Sequence, residues 1–271
     1  MRYADLHLHT IYSDGTFTPE EVIQEAVKSG ISAISVVDHD TVEGIKPVIL
    51  AAEGKDIEVI PGIELTAQYG RLEVHILGYL IDYQDESFKK KMDLLKESRV
   101  ERIYKILDKL NNLGLDLSPQ AVFDMSEGGT VGRLHIARAM VKEGLVGSTA
   151  EAFNRFIGDR CSAYVLGFKY SPEDAIKLIK KVGGVPILAH PYSLQNNSLI
   201  PEFIEYGIMG LEVYYLEHTK AMIKLYEDYC SKYNLLLTGG SDCHGQGKPE
   251  VRIGSVKLPY EFVEKLKTAK R

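Results

Sequence analysis

Short segments with the composition of β-strands end repeatedly in histidine, aspartate or glutamate. The first of them contains His7 and His9, whose imidazoles project from one face because side chains alternate along a strand. Asp14 follows five residues later, before Gly15. Imidazole and carboxylate are common ligands of transition metals, so this stretch predicts part of a metal site.

The same residue types recur at the ends of later predicted strands. These further candidates are His39, Glu64, His75, His190, Asp242 and His244. Active sites of α/β barrels gather at the carboxyl ends of the strands, so all nine side chains are expected on one rim. Each has an ordinary alternative, such as a hydrogen-bonded histidine or a helix cap, but nine alternatives would have to coincide.

Nine nitrogen and oxygen ligands are too many for one tetrahedral zinc ion. A cluster of Zn, Mn or Fe ions, with a carboxylate that bridges them, is therefore expected. Such a cluster can lower the pKa of a bound water and neutralise the oxygens of a reacting phosphoryl group. The pattern thus favours phosphoester hydrolysis.

Helix and strand signals alternate along most of the chain. Thr18-Pro19-Glu20-Glu21 and Ser171-Pro172-Glu173-Asp174 predict helix starts, with Gly30 and Gly183-Gly184 as the stops. Seven strands are predicted, at residues 3–8, 33–37, 58–61, 73–78, 186–189, 211–214 and 235–238. This order predicts an α/β fold whose mostly parallel sheet is a closed or nearly closed barrel.

Residues 86–157 interrupt the alternation, because the segment is typical of successive helices. An amphipathic face is predicted at Leu94-Leu95, Ile103, Ile106-Leu107 and Leu110. We therefore expect a barrel made of residues 1–85 and 158–271, and a helical insert at 86–157 that covers the site.

Composition limits the partners and the compartment. The formal net charge of −6 over 271 residues argues against a protein that coats nucleic acid, although a small or terminal nucleotide could still bind. Cys161, Cys230 and Cys243 are widely spaced, which favours a reduced cytoplasmic protein. Cys243 is a candidate soft ligand or oxidation target, with a small filler at a strand end as the alternative. No apolar run approaches about 18 residues, so no membrane partner is expected.

The chain resembles the PHP (polymerase and histidinol phosphatase) family of metal-dependent phosphoesterases. The matching stretches are DLHLHTIYSDG, SVVDHDT, PGIELTA, EVHILGY, ILAHP and GGSDCHG, between residues 5 and 245. The resemblance implies a distorted (β/α)7 barrel with two to three divalent ions (Mn, Fe or Zn). The ligand sets that it implies are His7, His9, Glu64 and Asp242 for one ion, Glu64, His75 and His190 for a second, and Asp14, His39 and His244 for a third.

Further residues resemble the branch of the family that acts on nucleotides. In that branch an Arg-x-His pair faces the substrate, which implies this role for Arg133 and His135; a helix-surface pair is the alternative. His218 is implied as a phosphate ligand or general acid, or else is a solvated residue at a helix start. Asp38 and Asp40 are expected to include a residue that orients His39, and Asp38 and His218 are the candidate catalytic residues. Additional candidate phosphate contacts, each with surface charge as its alternative, are Lys169, Arg160 and Arg138.

The expected reaction is hydrolysis of a phosphomonoester by in-line attack of a metal-bridging hydroxide. The branch implies a nucleoside 3′,5′-bisphosphate as the substrate and a 5′-nucleotide as the product, with trimming of 5′ ends of short RNA as an added activity. Three alternatives stay open: a histidinol-phosphate phosphatase, an amidohydrolase, and a non-catalytic metal-stabilised binding module. A substrate panel tests the first alternative. Loss of phosphatase activity in Asp14→Ala, with no amidase activity in the parent protein, would exclude the second, and metal-dependent stability without turnover of any phosphoester would indicate the third.

Overall fold

Strands and helices alternate in the computed structural model, which describes residues 2–126, 129–167 and 169–270. The strands are β1 (Tyr3–Leu8), β2 (Ala33–Val36), β3 (Glu58–Tyr69), β4 (Leu72–Tyr79), β5 (Val185–Leu188), β6 (Gly210–Tyr215), β7 (Leu236–Gly240) and β8 (Leu258–Pro259). The α-helices are α1 (Pro19–Lys28), α2 (Ile45–Ala52), α3 (Glu86–Asn112), α4 (Pro119–Asp124), α5 (Arg133–Lys142), α6 (Thr149–Ala152), α7 (Pro172–Lys181), α8 (Ile200–Glu205), α9 (Lys220–Tyr233) and α10 (Glu261–Ala269). A π-helical turn, Phe153–Ile157, continues α6.

Both predicted helix starts are confirmed by their caps. The Thr18 hydroxyl accepts a hydrogen bond from the Glu21 amide, and the Glu21 carboxylate accepts one from the Thr18 amide. This reciprocal pair satisfies two amides that a helix start leaves free, so α1 begins there. Ser171 caps α7 through the Asp174 amide in the same way.

The eight strands form one sheet in the order β7-β6-β5-β4-β3-β2-β1-β8. The sheet nearly closes on itself, because the segment after β7 joins the end of β1. The His9 amide donates to the Cys243 carbonyl at 3.0 Å, and the Asp242 amide donates to the His7 carbonyl at 2.9 Å. The predicted α/β barrel is therefore confirmed.

The expectation of a mostly parallel sheet is wrong around β4. Strand β3 continues past the predicted end at residue 61 to Tyr69 and pairs antiparallel with β4, which also pairs antiparallel with β5. The turn is formed by Gly70, whose φ of +58° lies in the left-handed region that glycine adopts without strain. The short β8, which the sequence did not predict, pairs antiparallel with β1.

Helices α3 to α6 and the π-helical turn follow β4 without an intervening strand in the described part of 86–157. On α3 the predicted apolar face is buried at Leu95, Ile103 and Leu110, whereas Leu94 is 56% exposed and was wrongly included. Ile103 and Leu110 join α5 in a separate apolar cluster, which contains Ile136 and Met140, whereas Leu95 packs in the cluster of the barrel. No α-helix in the described chain has both the length and the apolar character needed to cross a bilayer.

Candidate metal centre

Strand β1 places His7 and His9 side by side at the carboxyl end of the barrel. Both are buried, and their Nε2 atoms are 3.2 Å apart. The Oδ1 atom of Asp242 lies 3.4 Å from the Nε2 of His7 and 3.2 Å from that of His9. Glu64 Oε2 lies 3.3 Å and 3.2 Å from the same two nitrogens. The four residues that the family resemblance implies for one ion thus point to one place.

Glu64 occupies the middle of the centre. Its second oxygen, Oε1, lies 2.9 Å from His75 Nδ1 and 3.2 Å from His190 Nε2. Its Oε2 also lies 3.3 Å from His39 Nδ1. The carboxylate of Glu64 therefore faces histidine nitrogens on several sides, which is the arrangement of a ligand that bridges metal ions.

Asp14 faces a different group from its sequence neighbours. Its Oδ1 lies 3.2 Å from His244 Nε2 and 3.7 Å from His9 Nδ1, and its Oδ2 lies 3.8 Å from His39 Nε2. The rings of His9 and His244 stack with centroids 4.2 Å apart. Asp14 therefore lies among His9, His39 and His244. It does not face Oε1 of Glu64, the oxygen that faces His75 and His190.

The donor atoms fit divalent metal ions. Metal–ligand bonds of about 2.1 Å in a tetrahedron place neighbouring ligand atoms about 3.4 Å apart, close to the separations within these groups. The buried Nδ1 atoms of His9, His39 and His75 and the Oδ1 of Asp14 have no hydrogen-bond partner. Buried polar atoms are normally satisfied, so these lone pairs are available to a cation.

Electrostatics favour the ionised form of the carboxylates in the centre. Burial by itself raises the pKa of Glu64, but the neighbouring histidines, His39 first, hold it well below its usual range. Burial likewise raises the pKa of Asp14, but His244 and His39 outweigh burial and hold this pKa well below its usual range. Burial lowers the pKa of His39 and His244 themselves. Burial acts in the same direction on His7, His9 and His75, but neighbouring carboxylates outweigh it and raise the pKa of these three side chains.

Three overlapping groups have ligand atoms within 4.8 Å of one another. They are His9, Asp14, His39 and His244; His7, His9 and Asp242; and His39, Glu64 and His75. His9 and His39 each belong to two groups, so the groups differ in part from the three predicted ligand sets. The number of ions and the assignment of ligands to each of them stay predictions.

Glu212 supports two of the histidines from behind, and sequence reasoning missed it. Its Oε1 lies 2.8 Å from His7 Nδ1, and its Oε2 accepts a hydrogen bond from the His190 amide at 2.8 Å. A carboxylate that holds the outer nitrogen of a histidine orients the ring toward a metal. The available signal was a carboxylate in the middle of the buried strand β6, which needs a partner.

Asp242 is held through its outer oxygen, Oδ2. It accepts hydrogen bonds from the Tyr215 hydroxyl and from Lys248 Nζ, each at 2.9 Å. Both donors line the cavity above the centre, and neither was predicted. Burial lowers the pKa of Lys248, but Asp242 outweighs burial and raises it, so the ammonium stays charged.

Two of the metal-ligand candidates have backbones that L-residues rarely adopt. The φ angle is +25° at His190 and +57° at Asp242, in or near the left-handed region. The hydrogen bond from the His190 amide to Glu212 and that from the Asp242 amide to the His7 carbonyl hold these turns. Such strain persists where surrounding contacts enforce it, and it is concentrated at functional sites.

A cavity of about 350 Å³ opens over the centre, and one of its walls is basic. Glu73 lies in this wall, with Oε1 3.0 Å from Arg133 Nη2 and Oε2 3.5 Å from Arg102 Nη1, and it also pairs with Lys169. Glu73 Oε1 is 3.2 Å from His75 Nε2, so the wall touches the metal centre. We name Arg102, Arg133, Lys169 and Glu73 the basic wall.

Sequence reasoning identified part of the basic wall. Arg133 lines the cavity and also pairs with Asp159 at 2.6 Å. Lys169 is buried behind it, and burial lowers the pKa of its ammonium to about 8. Glu73 and Arg102 were missed, because nothing local in β4 or α3 distinguishes them from surface charges.

The other predicted substrate contacts lie elsewhere. His135 is buried, and its Nδ1 accepts the Gly132 amide at 2.9 Å, so it caps α5. Burial lowers the pKa of His135 to about 4. Arg160 is exposed, and its guanidinium donates to Gln195 Oε1 at 3.4 Å. Arg138 donates to the Asp14 carbonyl at 2.8 Å and so supports the loop of a predicted ligand.

The two candidate catalytic residues do not line the cavity. Asp38 accepts hydrogen bonds from the amide and hydroxyl of Thr10 and from the Ser13 hydroxyl, and so fixes the loop that leads to Asp14. His218 is buried, with Nδ1 2.9 Å from the Val213 carbonyl. Its ring is enclosed by those of Tyr192, Tyr215 and Tyr226.

Asp40 and Cys243 are also turned away from the cavity. Arg99 Nε donates to Asp40 Oδ2 at 2.7 Å, and the Thr66 amide donates to Asp40 Oδ1 at 2.8 Å. Cys243 packs in the apolar core, with Sγ 3.3 Å from the Val251 carbonyl. Burial raises its pKa to about 11, so the thiol stays protonated and is a poor metal ligand.

Known proteins resemble this chain over most of its length. The model of the PHP domain matches residues 5–157. A 5′-3′ exoribonuclease of Haemophilus influenzae is 31% identical over 245 residues, which is 89% of each chain. A 3′,5′-nucleoside bisphosphate phosphatase of Chromobacterium violaceum is 28% identical and covers 94% of this chain and 91% of its own.

Solved structures give the same result. A candidate metal-dependent phosphoesterase of Bifidobacterium adolescentis is 27% identical, with a TM-score of 0.90 over 98% of this chain and 95% of its own. A protein of Chromobacterium violaceum described as an amidohydrolase, with bound sulfate and no metal, is 27% identical and has a TM-score of 0.88 over 98% and 96%. The match of the family model to more than half of the sequence is decisive: the chain belongs to the PHP domain family.

Proposed function

We propose that this metal-dependent phosphoesterase removes the 3′-phosphate from nucleoside 3′,5′-bisphosphates and leaves a 5′-nucleotide. The observation that carries the proposal is the basic wall beside the metal centre. A bisphosphate needs two anion-binding sites a short distance apart. One site holds the reacting phosphate, and the other holds the second phosphate. The relative from Chromobacterium violaceum that bears this activity in its name supports the same choice.

The charge of the basic wall favours a second phosphate over an amine. Arg102, Arg133 and Lys169 face the carboxylates of Glu73 and Asp159, so positive charge remains. The guanidinium of Arg133 offers a planar pair of donors that suits a phosphate. Histidinol phosphate carries an ammonium group in place of a second phosphate, and this wall would repel it.

We propose that two to three divalent ions are held by the nine ligand candidates that the sequence identified. When bound, Mn, Fe or Zn ions would supply a water of lowered pKa and neutralise charge on the reacting phosphoryl group. Glu64 would be shared between ions, while Glu212 and Tyr215 keep His7 and Asp242 oriented.

The chain's own side chains would bind and enclose the substrate. Arg133 would hold the 5′-phosphate, and Lys248 would add positive charge near the reacting phosphate, because its ammonium lies at the cavity edge beside Asp242. We also propose that residues 86–157 act as an insert over the barrel, since Arg99, Arg133 and Phe153 from this segment form one side of the cavity. Enclosure of this kind limits water around the reacting group.

The test is phosphate release by metal-loaded protein across a substrate panel. We expect turnover of a nucleoside 3′,5′-bisphosphate, with a 5′-nucleotide as the product, and far slower turnover of histidinol phosphate. A preference for histidinol phosphate would contradict the proposal, as would hydrolysis of amide substrates without phosphatase activity. Metal-dependent stability with no turnover of any phosphoester would indicate a binding module.

A pair of arginine variants tests the role of the basic wall. Arg133→Gln should raise KM for the bisphosphate about ten- to hundredfold, because a hydrogen bond to a charged group is lost. Arg160→Gln is the matched control and should leave KM unchanged, because Arg160 is exposed and outside the cavity. Metal content and melting temperature check that both variants fold. Equal effects of the two substitutions would contradict the assignment.

A further inference from the structure

Glu73 contacts the basic wall and the metal centre at the same time. Its Oε1 lies 3.0 Å from Arg133 Nη2 and 3.2 Å from His75 Nε2, so one oxygen faces both a cation of the wall and a metal-ligand candidate. Its Oε2 lies 3.5 Å from Arg102 Nη1 and also pairs with Lys169. A change at the wall can therefore reach the centre through a single carboxylate.

His75 lies between two carboxylates. Its Nδ1 lies 2.9 Å from Glu64 Oε1, on the side of the proposed ions, and its Nε2 lies 3.2 Å from Glu73 Oε1. Glu73 therefore contacts the outer nitrogen of a ligand candidate, as Glu212 does for His7. A carboxylate in this position orients the imidazole and makes it a stronger metal ligand.

The basic wall has donors that no described protein group satisfies. Arg102 is 7% exposed, and its Nη2 is buried without a hydrogen-bond partner among the described residues. The same holds for the hydroxyl of Tyr164, and the guanidinium groups of Arg102 and Arg133 each lie 5.4 Å from the centre of its ring. A buried donor normally has a partner, so these groups are available to an anion.

An anion bound at the wall would compete with Glu73 for the same cations. A phosphate monoester carries about two negative charges and three strong acceptor oxygens, more than one carboxylate offers. When Arg102 and Arg133 bind the phosphate, more of the Glu73 charge is left to the Nε2 of His75. Phosphate at the wall would thus improve His75 as a metal ligand. Since coupling between two sites is reciprocal, bound metal would also favour the phosphate.

We propose that Glu73 is a positioning residue that couples the two sites: a phosphate monoester bound at the basic wall strengthens the contact of Glu73 with His75 and so tightens the binding of divalent ions. This inference rests on the proposed function, which supplies the phosphate at the wall. It adds a consequence for the ions themselves. They are held most firmly while a nucleotide is in the cavity.

The first experiment measures the two sites separately by calorimetric titration. Glu73→Gln keeps the shape of the side chain but removes its charge, so Mn²⁺ should bind the nucleotide-free protein about 10- to 100-fold more weakly. Adenosine 5′-monophosphate should bind the metal-free protein about three- to tenfold more tightly, because a negative charge that competes for the wall is gone. A purely structural role of Glu73 would weaken both. Weaker nucleotide binding, or unchanged Mn²⁺ binding, overturns the proposal.

Two matched variants separate the effects. Asp159→Asn removes another carboxylate that pairs with Arg133, at 2.6 Å, but Asp159 is outside the described lining of the cavity over the centre. This variant should tighten nucleotide binding and leave Mn²⁺ affinity unchanged. Glu212→Gln should weaken Mn²⁺ binding alone, because Glu212 contacts His7 and is not part of the wall. Melting temperatures check that the variants fold. Equal losses of Mn²⁺ affinity in Asp159→Asn and Glu73→Gln would contradict the proposal.

The second experiment measures the coupling itself. Saturating adenosine 5′-monophosphate should raise the Mn²⁺ affinity of the wild-type protein about fivefold or more, and the increase should be much smaller in Glu73→Gln. A nucleotide that acted only by touching the ions would give equal increases in both proteins, and this result overturns the inference. These measurements need no turnover. Absent coupling in a protein that hydrolyses bisphosphates overturns this inference alone, whereas coupling without such hydrolysis overturns the proposed function alone.

Discussion

At the scale of single residues, the candidate metal centre depends on carboxylates that each contact more than one partner. Glu64 presents both oxygens to histidines, and Glu212 holds the Nδ1 of His7 and the amide of His190. Glu212 is not part of the lining of the cavity over the centre, and it is completely buried. Its contribution must therefore act through the orientation of the residues that it contacts.

Replacement of Glu212 should weaken metal binding without removing a ligand. Glu212→Gln keeps the shape of the side chain but loses its charge, so we expect metal affinity to fall about 10- to 100-fold. Calorimetric titration of the metal-free protein with Mn²⁺ measures this change. Glu227→Gln is the control, because that carboxylate accepts a hydrogen bond from the Tyr214 hydroxyl in β6 and does not line the cavity over the centre. Affinities that match in the two variants would contradict the role of Glu212.

The nine ligand candidates could be predicted because each carries a local signal, a chemically active side chain within or shortly after a predicted strand. The structure brings them together, although the assignment of each to an ion stays a prediction. Glu212 and Glu73 could not be predicted in the same way. Their roles arise from contacts with distant residues, as with His7 and Glu212, which are 205 positions apart in the sequence.

At the scale of elements, the approach of β7 to β1 closes the barrel at the metal centre. A Cβ atom on Gly240 would lie 2.3 Å from the Cβ of His7 and 2.4 Å from its backbone nitrogen. Only glycine allows the two strands to come this close, and both carry or lead to metal-ligand candidates. The geometry of closure and that of the centre are therefore linked.

Gly240→Ala should separate the strands and disturb the centre. We expect a loss of about 1–3 kcal/mol in the free energy of unfolding, the usual effect of overpacking, together with weaker metal binding. Urea denaturation and metal titration measure the two effects. Gly147→Ala is the control, since the added Cβ would meet only the flexible end of Glu151, at 3.3 Å. Wild-type stability and affinity in Gly240→Ala would show that the close approach is unimportant.

The fold was predictable where propensity and capping act locally, as at Thr18 and Ser171. The extension of β3 to Tyr69 was not, because residues 62–69 pair with a neighbouring strand and this pairing is not visible in a short pattern. The two-residue β8 is too short to show any periodicity. Tertiary pairing therefore accounts for both differences.

At the scale of the whole molecule, the barrel encloses many ionisable groups close together. Their burial costs free energy that the apolar core does not offset. Asp14, Glu64 and Asp242 are at least nine-tenths buried beside the histidines. Burial of charge is costly unless it is paired, and several donor atoms in the centre have no protein partner. Bound cations would relieve this cost, so stability and metal content should be coupled.

Removal of metal should lower the melting temperature. An ion present at about 100 times its dissociation constant adds about 2.7 kcal/mol, which corresponds to a shift of about 5–10 °C for a chain of this size. Scanning calorimetry of loaded, chelator-treated and Mn²⁺-restored protein measures the shift, and Mg²⁺ serves as a poorly matched control ion. Identical melting temperatures, with metal loss verified by elemental analysis, would contradict the coupling.

The metal-ligand candidates lie on or directly after the barrel strands and in one early loop, whereas Arg99, Arg133 and Phe153 of the cavity wall come from the helical segment. This division has an evolutionary consequence. The helices can change without disturbing the groups that face the metals, so a new substrate can be acquired while the reaction is kept. Relatives 28–31% identical to this chain bear the names of an exoribonuclease, a cyclic-phosphate diphosphodiesterase and a bisphosphate phosphatase. Such diversity of substrates around one type of reaction is what this division of labour permits.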